Sequence, residues 1–429
     1  MSSARVLLAL PLILHAAVPA QAAEAQAALS LPALIQEAQR VNPNIRASRI
    51  RWESAKAKIP LATALPAPKV GVKFEEIPKG SVKFNQATIM YQLIQSIPFP
   101  WKLSLRKQVA LKDAQVAAMA FKQTEWEVLS DLKRAYYDLF LLEREREIQQ
   151  EQVLWLQQAV HTASAGYATR TVAQADVLEA QATLLEAANQ ASVLEHRRQA
   201  MGAHLNHLLN RPVHEAIGSP EPMPLERVPF TPDELLLMAR ASQPELLAFQ
   251  YTAERAQAAV KLSKRELLPD LETMVELRDP AMGPIGPWDL SLAIAIPFWF
   301  WTKWQYGVKV AIRDQESAQA AYQAMENEIA RRVHEHWHEA QAAYTTAALS
   351  RDGLLPLEKQ VTASALAAYQ SGRGSLREVL EALQRQAEQR RRYAEQLVSL
   401  EQHVVLLEQA VGVPLRERSS ENGQQRNAP

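Results

Sequence analysis

The chain has 429 residues, with 47 Lys+Arg against 47 Asp+Glu and no cysteine. Balanced charge without a dense basic patch argues against nucleic acid as a partner, and the missing thiols exclude disulfides, thiolate metal sites and a lipid anchor on an N-terminal cysteine. The length allows two or three compact domains, yet no Pro/Gly/Ser-rich linker divides the chain where one would be expected.

Residues 1–22 carry the three parts of a secretory signal peptide: Arg5, an apolar run from Val6 to Val18, and Ala20-Gln21-Ala22 as a small-x-small cleavage site. The mature chain then starts at Ala23. No later segment approaches the ~18 to 20 apolar residues of a membrane helix, so the exported protein is expected in the periplasm, the medium or an outer membrane. From Pro43 a helix leads to two strands, about 69–75 and 87–97. The first alternates Val70, Val72 and Phe74 against Lys69, Gly71, Lys73 and Glu75, a period of two with one apolar face, while the second is more uniformly apolar.

A helix of about 102–166 follows, in a stretch of Ala, Leu, Gln, Glu, Lys and Arg with neither proline nor glycine between Pro100 and Gly166. At 1.5 Å per residue it is a rod of roughly 95 Å, too long for a globular core and suited to a coiled coil. The short polar turn Thr169-Arg170-Thr171 reverses it into a returning helix of about 171–210. This helix carries a seam at Val177, Ala180, Leu184, Ala187, Ala191, Leu194, Met201, Leu205 and Leu208, interrupted by Arg198. Taken alone, the seam equally suits a solvated helical hairpin with no function of its own.

From Pro244 the whole order recurs about 200 residues later. Ala55, Ala57, Leu61 and Pro68 return as Ala256, Ala258, Leu262 and Pro269, and Ile97-Pro98-Phe99 returns as Ile296-Pro297-Phe298. Tyr167 matches Tyr369, and Asp176 to Ala180 matches Glu378 to Ala382. The repeats are placed at 23–215 and 216–415, with a disordered polar tail at 416–429. Repeat two has strands about 270–278 and 288–297 and long helices about 302–371 and 375–411. Its seam is less clean, because Arg390 and Glu401 intrude, and Gly353 and Pro356 predict a kink that repeat one lacks. A feature present in one copy only is not required by the architecture.

Each strand pair runs into aromatic residues, Phe99 and Trp101 in repeat one and Phe298, Trp299, Trp301 and Trp304 in repeat two. Aromatics fill ordinary cores, but two clusters at equivalent positions beside amphipathic hairpins fit the interfacial girdle of a membrane β-barrel. Four strands cannot close a barrel when the smallest have about eight, so membrane placement demands other copies of the chain.

His334-Glu335-His336-Trp337-His338 satisfies the HExxH pattern of zinc peptidases. The equivalent Lys133-Arg134-Ala135-Tyr136-Tyr137 has none of these groups, and no third ligand with a family spacing follows, so polar helix surface is the expectation and no metal or cofactor is assigned. Glu378 and Glu381 lie three apart after the turn Gly372-Arg373-Gly374-Ser375, hence on one helical face, where they also suit a helix N-terminus.

The order of elements, their duplication, Leu31-Pro32-Ala33-Leu34 to Asn42-Pro43, the corner Pro98-Phe99-Pro100-Trp101-Lys102-Leu103 and the run Tyr369 to Ala382 together resemble the TolC-type outer-membrane efflux proteins. The resemblance covers roughly residues 30 to 415. It implies a mainly α fold with a small membrane β part: a homotrimer whose four strands per chain make a 12-stranded β-barrel, and whose paired helical hairpins make a hollow α-barrel across the periplasm. It also implies a passive conduit and no enzyme, served by a periplasmic adaptor and an inner-membrane pump of the resistance-nodulation-division type. Glu378 and Glu381, and secondarily Asp176 and Glu179, would then line the pore constriction. The turns Thr169, Arg170, Thr171 and Gly372, Arg373, Gly374, Ser375 would dock the adaptor. Phe84-Asn85-Gln86, Pro98-Phe99-Pro100 and Leu354-Leu355-Pro356 look most like the members attached to heavy-metal cation pumps, with drugs or organic solutes as the alternative cargo. Two other classes stay open: a periplasmic coiled-coil scaffold without a barrel, and a zinc peptidase whose activity would be lost with His334.

Overall fold

The computed structural model describes residues 29–75, 87–170, 172–278, 288–294, 301–371 and 373–416. The expected signal segment 1–22, the Phe84 to Gln86 run, Thr171, Gly372, the corner Ile296 to Phe298, Trp299 and the tail from Glu417 onward lie outside them.

Each repeat opens on two helices, α1 (Leu31–Val41) and α2 (Pro43–Thr63) in the first, α5 (Pro232–Ser242) and α6 (Pro244–Arg265) in the second. A proline at the first helical turn suits every one of these starts or follows its cap directly, because the N–H it lacks would have no helical partner there. Asn42 caps α2 by accepting from the backbone N–H of Asn44 at 2.9 Å, and its amide donates to the Leu208 carbonyl at 2.8 Å. Gln243 is its buried counterpart, accepting from the Leu246 N–H.

The strands β1 (Lys69–Glu75), β2 (Thr88–Ile97), β3 (Leu271–Arg278) and β4 (Trp288–Ile294) form one antiparallel sheet in the order β1-β2-β3-β4. The hairpins of the two repeats thus join through β2 and β3, in a register that places Leu93 opposite Val275. The corner after β2 is held from the other repeat: Asp270 accepts from the Phe99 N–H at 3.0 Å and from buried Lys102 at 2.9 Å.

The long helix α3 (Pro100–Ala168) spans 69 residues, about 100 Å at the helical rise. It starts two residues earlier than expected because Pro100 is tolerated in a first turn, and it runs through Gly166. The returning helix α4 (Gln174–Leu208) begins later than residue 171, after Arg170 takes a left-handed φ of 61° and Ala173, with no side-chain oxygen to cap, opens the first turn. In repeat two the rod is α7 (Trp301–Leu349), a π-helical turn at Ser350–Leu354 and α8 (Leu355–Gln370), followed by α9 (Leu376–Val411). The break falls where Gly353 and Pro356 predict it. Pro356 cannot donate to the preceding turn, and the Leu355 N–H bonds back to the Ser350 carbonyl. No helix among the described residues is long and apolar enough to cross a membrane.

The two larger core clusters lie where the short helices dock, and a smaller one joins Leu156, Ala187 and Leu380 toward the tips. Leu34 and Ala38 of α1 pack with Leu132, Leu139 and Phe140 of α3, Leu205 of α4 and Leu397 of α9. Leu235 and Ala239 of α5 pack with Val333 and Ala340 of α7 and Leu400, Leu407 and Val411 of α9. Gly412 ends α9 at φ 78°, and its α-carbon lies so close to α6 that a Cβ would come within 2.8 Å of Gln243 Cα. Arg416, the first residue of the expected tail, is instead ordered: it pairs with the buried Glu401 and lies 3.5 Å from Glu226.

Candidate functional site

The sheet has two unlike faces. Register aligns Val72, Tyr91, Leu277 and Trp288 across the four strands, and Val70, Leu93, Val275 and Leu290 in the next row on the same face. These apolar side chains are open to solvent in the single chain, with Val70 81% and Leu290 56% exposed. The opposite face carries Lys73, Gln92, Glu276, Arg278 and Asp289. Gln92 donates to the buried Glu276, Lys73 pairs with Glu75, and Arg278 reaches Asp289 at 3.0 Å. Water-soluble sheets bury the apolar face; here the chain covers the polar one better, which is the pattern of a barrel in lipid around a polar lumen. Among the described residues, the outer edges of β1 and β4 have no strand partner.

At the corner below the sheet, Phe99 meets Trp101 edge-on at 5.2 Å, and the Arg265 guanidinium lies 5.5 Å from the Trp101 ring centroid. Trp101 is 59% exposed, Trp301 opens α7, and Trp304 lies half-buried within its first turn. A cation over an exposed ring suits a headgroup boundary, where apolar and ionic surroundings meet.

The opposite ends of the rods are the two tips. In repeat one, the Thr169 hydroxyl donates back to the Gly166 carbonyl at 3.0 Å, and Asp176 and Glu179 stand exposed on the first turns of α4. In repeat two, the N–H groups of Arg373 and Gly374 both bond the Ala368 carbonyl, and a Cβ at Gly374 would press within 3.1 Å of Ala368 and Tyr369. Ser375 and Glu378 form a reciprocal capping box: the Ser375 hydroxyl accepts from the Glu378 N–H at 3.2 Å, and the Glu378 carboxylate accepts from the Ser375 N–H at 3.3 Å. Glu381 pairs with Arg377 at 3.1 Å. Both acids are exposed on the start of α9, so the helix-terminus role is realised for Glu378 within one chain. Asp176 and Glu179 lie on a different helix, where Ala173 supplies no equivalent cap.

The HExxH stretch lies on α7. His334 and His338 are exposed with ring centroids 6.5 Å apart, while Glu335 is bound by Arg331. The Trp337 indole donates to the Phe230 carbonyl at 2.8 Å, so the neighbouring aromatic anchors the segment that leads into α5.

Sequence spacing missed the partners of the polar residues that interrupt the seams. Arg198 meets buried Glu143 of α3 at 2.6 Å, and Arg390 binds Glu151 of α3. Glu401 pairs with Arg416 and accepts from the Tyr137 hydroxyl at 3.4 Å; burial raises both the carboxyl and the phenol above their ordinary pKa values. The only signal available was the interruption itself, since the partner on α3 has no fixed offset in sequence.

Solved structures with the same fold include the outer membrane protein VceC from Vibrio cholerae (15% identity over 90% of this chain and 96% of that one, TM-score 0.76). CusC, described by its conformational changes on folding and transmembrane channel formation, aligns at 15% identity over 91% and 93%, TM-score 0.78. The CmeC outer membrane channel of Campylobacter jejuni aligns at 14% identity over 92% and 88%, TM-score 0.76. No curated protein sequence matches significantly. A family model described as Outer membrane efflux protein matches residues 34–211 and 235–413, one stretch in each repeat, and the chain therefore belongs to that family: a non-enzymatic channel of tripartite efflux systems, set in the outer membrane with its helices extending into the periplasm.

Proposed function

We propose that the chain works as a homotrimeric exit duct for heavy-metal cations, loaded by a periplasmic adaptor and a pump of the resistance-nodulation-division type. The carrying observation is the four-stranded sheet with an apolar outer face, a polar inner face and two open edges. Three such sheets give the twelve strands of one closed barrel, which satisfies every edge. Phe99, Trp101 and Trp304 anchor its lower rim at the lipid headgroups, a girdle role expected from sequence for Phe298, Trp299 and Trp301 as well. Heavy-metal cargo is supported by the resemblance at Phe84 to Gln86, Pro98 to Pro100 and Leu354 to Pro356. The adaptor docks on the turns Thr169 to Thr171 and Gly372 to Ser375.

Glu378 and Glu381, with Asp176 and Glu179 at lesser weight, form the cation-selective constriction. Six copy-two carboxylates around a threefold axis repel one another and attract divalent cations, and the Glu378 capping box pins that carboxyl at the tip. Single-channel recording in planar bilayers tests this with Glu378→Gln combined with Glu381→Gln. The double variant is expected to conduct more, with weaker cation preference and weaker block by divalent ions. Unchanged conductance, selectivity and block in an assembled trimer would reduce the two acids to helix-terminus groups.

A further inference from the structure

Three metal-ligating side chains meet between α7 and α9, away from the tips and the barrel. His336 and Glu339, one helical turn apart on α7, face His403 of α9, and one donor atom from each lies within 4.8 Å of the others. The His403 Nδ1 is already 3.1 Å from a Glu339 carboxylate oxygen, off the line of a hydrogen bond, and the His336 Nδ1 is shut off from solvent without a hydrogen-bond partner. The two imidazole rings are 6.1 Å apart.

We propose that His336, Glu339 and His403 bind a divalent transition-metal ion of the Zn2+ class, fastening α7 to α9. Donors 2.0–2.1 Å from a tetrahedral ion stand roughly 3.4 Å from one another, so the set closes by about 1.4 Å at most, within the swing of three rotatable side chains. Two imidazoles and one carboxylate suit borderline ions such as Zn2+, Co2+, Ni2+ and Cu2+, leave a coordination position for water, and disfavour soft monovalent ions that seek sulfur. Burial holds His336 below its ordinary pKa, which keeps the ring in the neutral form that ligates.

The repeat supplies an internal control. With Lys133 to Tyr137 opposite His334 to His338, and Tyr167 opposite Tyr369, the positions equivalent to His336, Glu339 and His403 are Ala135, Asp138 and Met201. Ala135 sits in the core, and Asp138 accepts a hydrogen bond from Gln402 at 2.7 Å. The architecture therefore closes without this triad in one copy. The site uses the middle histidine of the HEHWH run; the outer pair that matches the HExxH pattern points elsewhere, and Glu335 is already held by Arg331. It stands whatever cargo the duct carries.

The test is a metal titration of the full-length trimer, purified in detergent without a polyhistidine tag and stripped with chelator. Zn2+ is read by calorimetry and Co2+ by its visible absorption. One saturable site per chain is expected, weakened about tenfold or more by His336→Ala and by His403→Ala, and unchanged by His334→Ala combined with His338→Ala. His403→Asn, which keeps a polar group at that position, repeats the measurement if His403→Ala does not assemble. Zn2+ should also raise the unfolding temperature of the unaltered trimer and not that of either triad variant. Absence of saturable binding, or binding that survives His403→Ala and His403→Asn but is lost with His334 and His338, overturns the proposal.

Discussion

A polar residue in an apolar seam is costly unless something pairs with it, and the three interruptions here differ in how deeply they are paired. Glu143 is buried, so Arg198→Ala strips a charge partner from a carboxylate that water cannot reach; Arg146 at 3.0 Å still neutralises part of it, which places the loss at the low end, about 3 kcal/mol. Arg390 and Glu151 face solvent, and the comparable Arg390→Ala is worth about 1 kcal/mol or less. Hydrogen bonds from Arg390 hold Glu151 below its ordinary pKa of 4.5, so this small stabilisation is present above that value and fades as pH falls through the lower folded value. Thermal unfolding of detergent-solubilised protein at neutral pH is therefore expected to fall more for Arg198→Ala than for Arg390→Ala; the reverse order would mean that burial is not what sets the cost. Sequence alone marked these positions as irregular, but their value lay in α3 residues that only packing brings near.

At the level of elements, most of the fold is legible because its periods are simple. The proline- and glycine-free rod, the alternation of β1 and the recurrence after Pro244 all reappear as helices and strands in the expected order. What pattern left open was how two hairpins 174 residues apart, from Ile97 to Leu271, combine into one sheet, since strand pairing is a tertiary choice. The His336 cluster was illegible for the same reason: a motif read along one helix favours His334 with His338, whereas the ligands come from two helices. The tip acids were legible as a pair, yet the Ser375-x-x-Glu378 spacing is also a capping signature, and in one chain the capping geometry forms. The two faces of β4 give a sharp test of the sheet. Leu290 belongs to the apolar face and Ser291 to the polar one. A lysine on the lipid side costs ~2 to 4 kcal/mol near the bilayer midplane, while a lumen-facing lysine meets water. Leu290→Lys is expected to lower the yield of outer-membrane trimer sharply and Ser291→Lys to leave it near normal, measured in outer-membrane fractions; equal yields would remove the lipid-facing assignment.

For the whole molecule, the open edges of β1 and β4 decide what the chain must do with other copies of itself. A backbone edge inside lipid leaves N–H and C=O groups unpaired at several kcal/mol each, and no element among the described residues covers either edge. The same chain has rods about 100 Å long that are packed along one side by its own shorter and returning helices, with a small cluster of Leu156, Ala187 and Leu380 toward the tips, and many apolar side chains on the rods, such as Leu154, Trp155 and Leu185, stay exposed in the single chain. A threefold ring in which β1 of each protomer paired with β4 of the next would satisfy both edges in one operation. The native chain has no cysteine, so introduced thiols report only on themselves. Single cysteines at Lys69, Gly71 or Lys73 of β1, each combined with one at Ser291 or Ala293 of β4, place thiols on the polar face of facing edges. Because a disulfide needs Cβ atoms within about 4.5 Å, only the pairs in register should join. Oxidation of outer membranes is expected to give dimer and trimer bands for one or two of these combinations and none for the single cysteines. Monomer alone across the whole set, in protein that reaches the outer membrane, would mean that the edges are closed by something other than this chain.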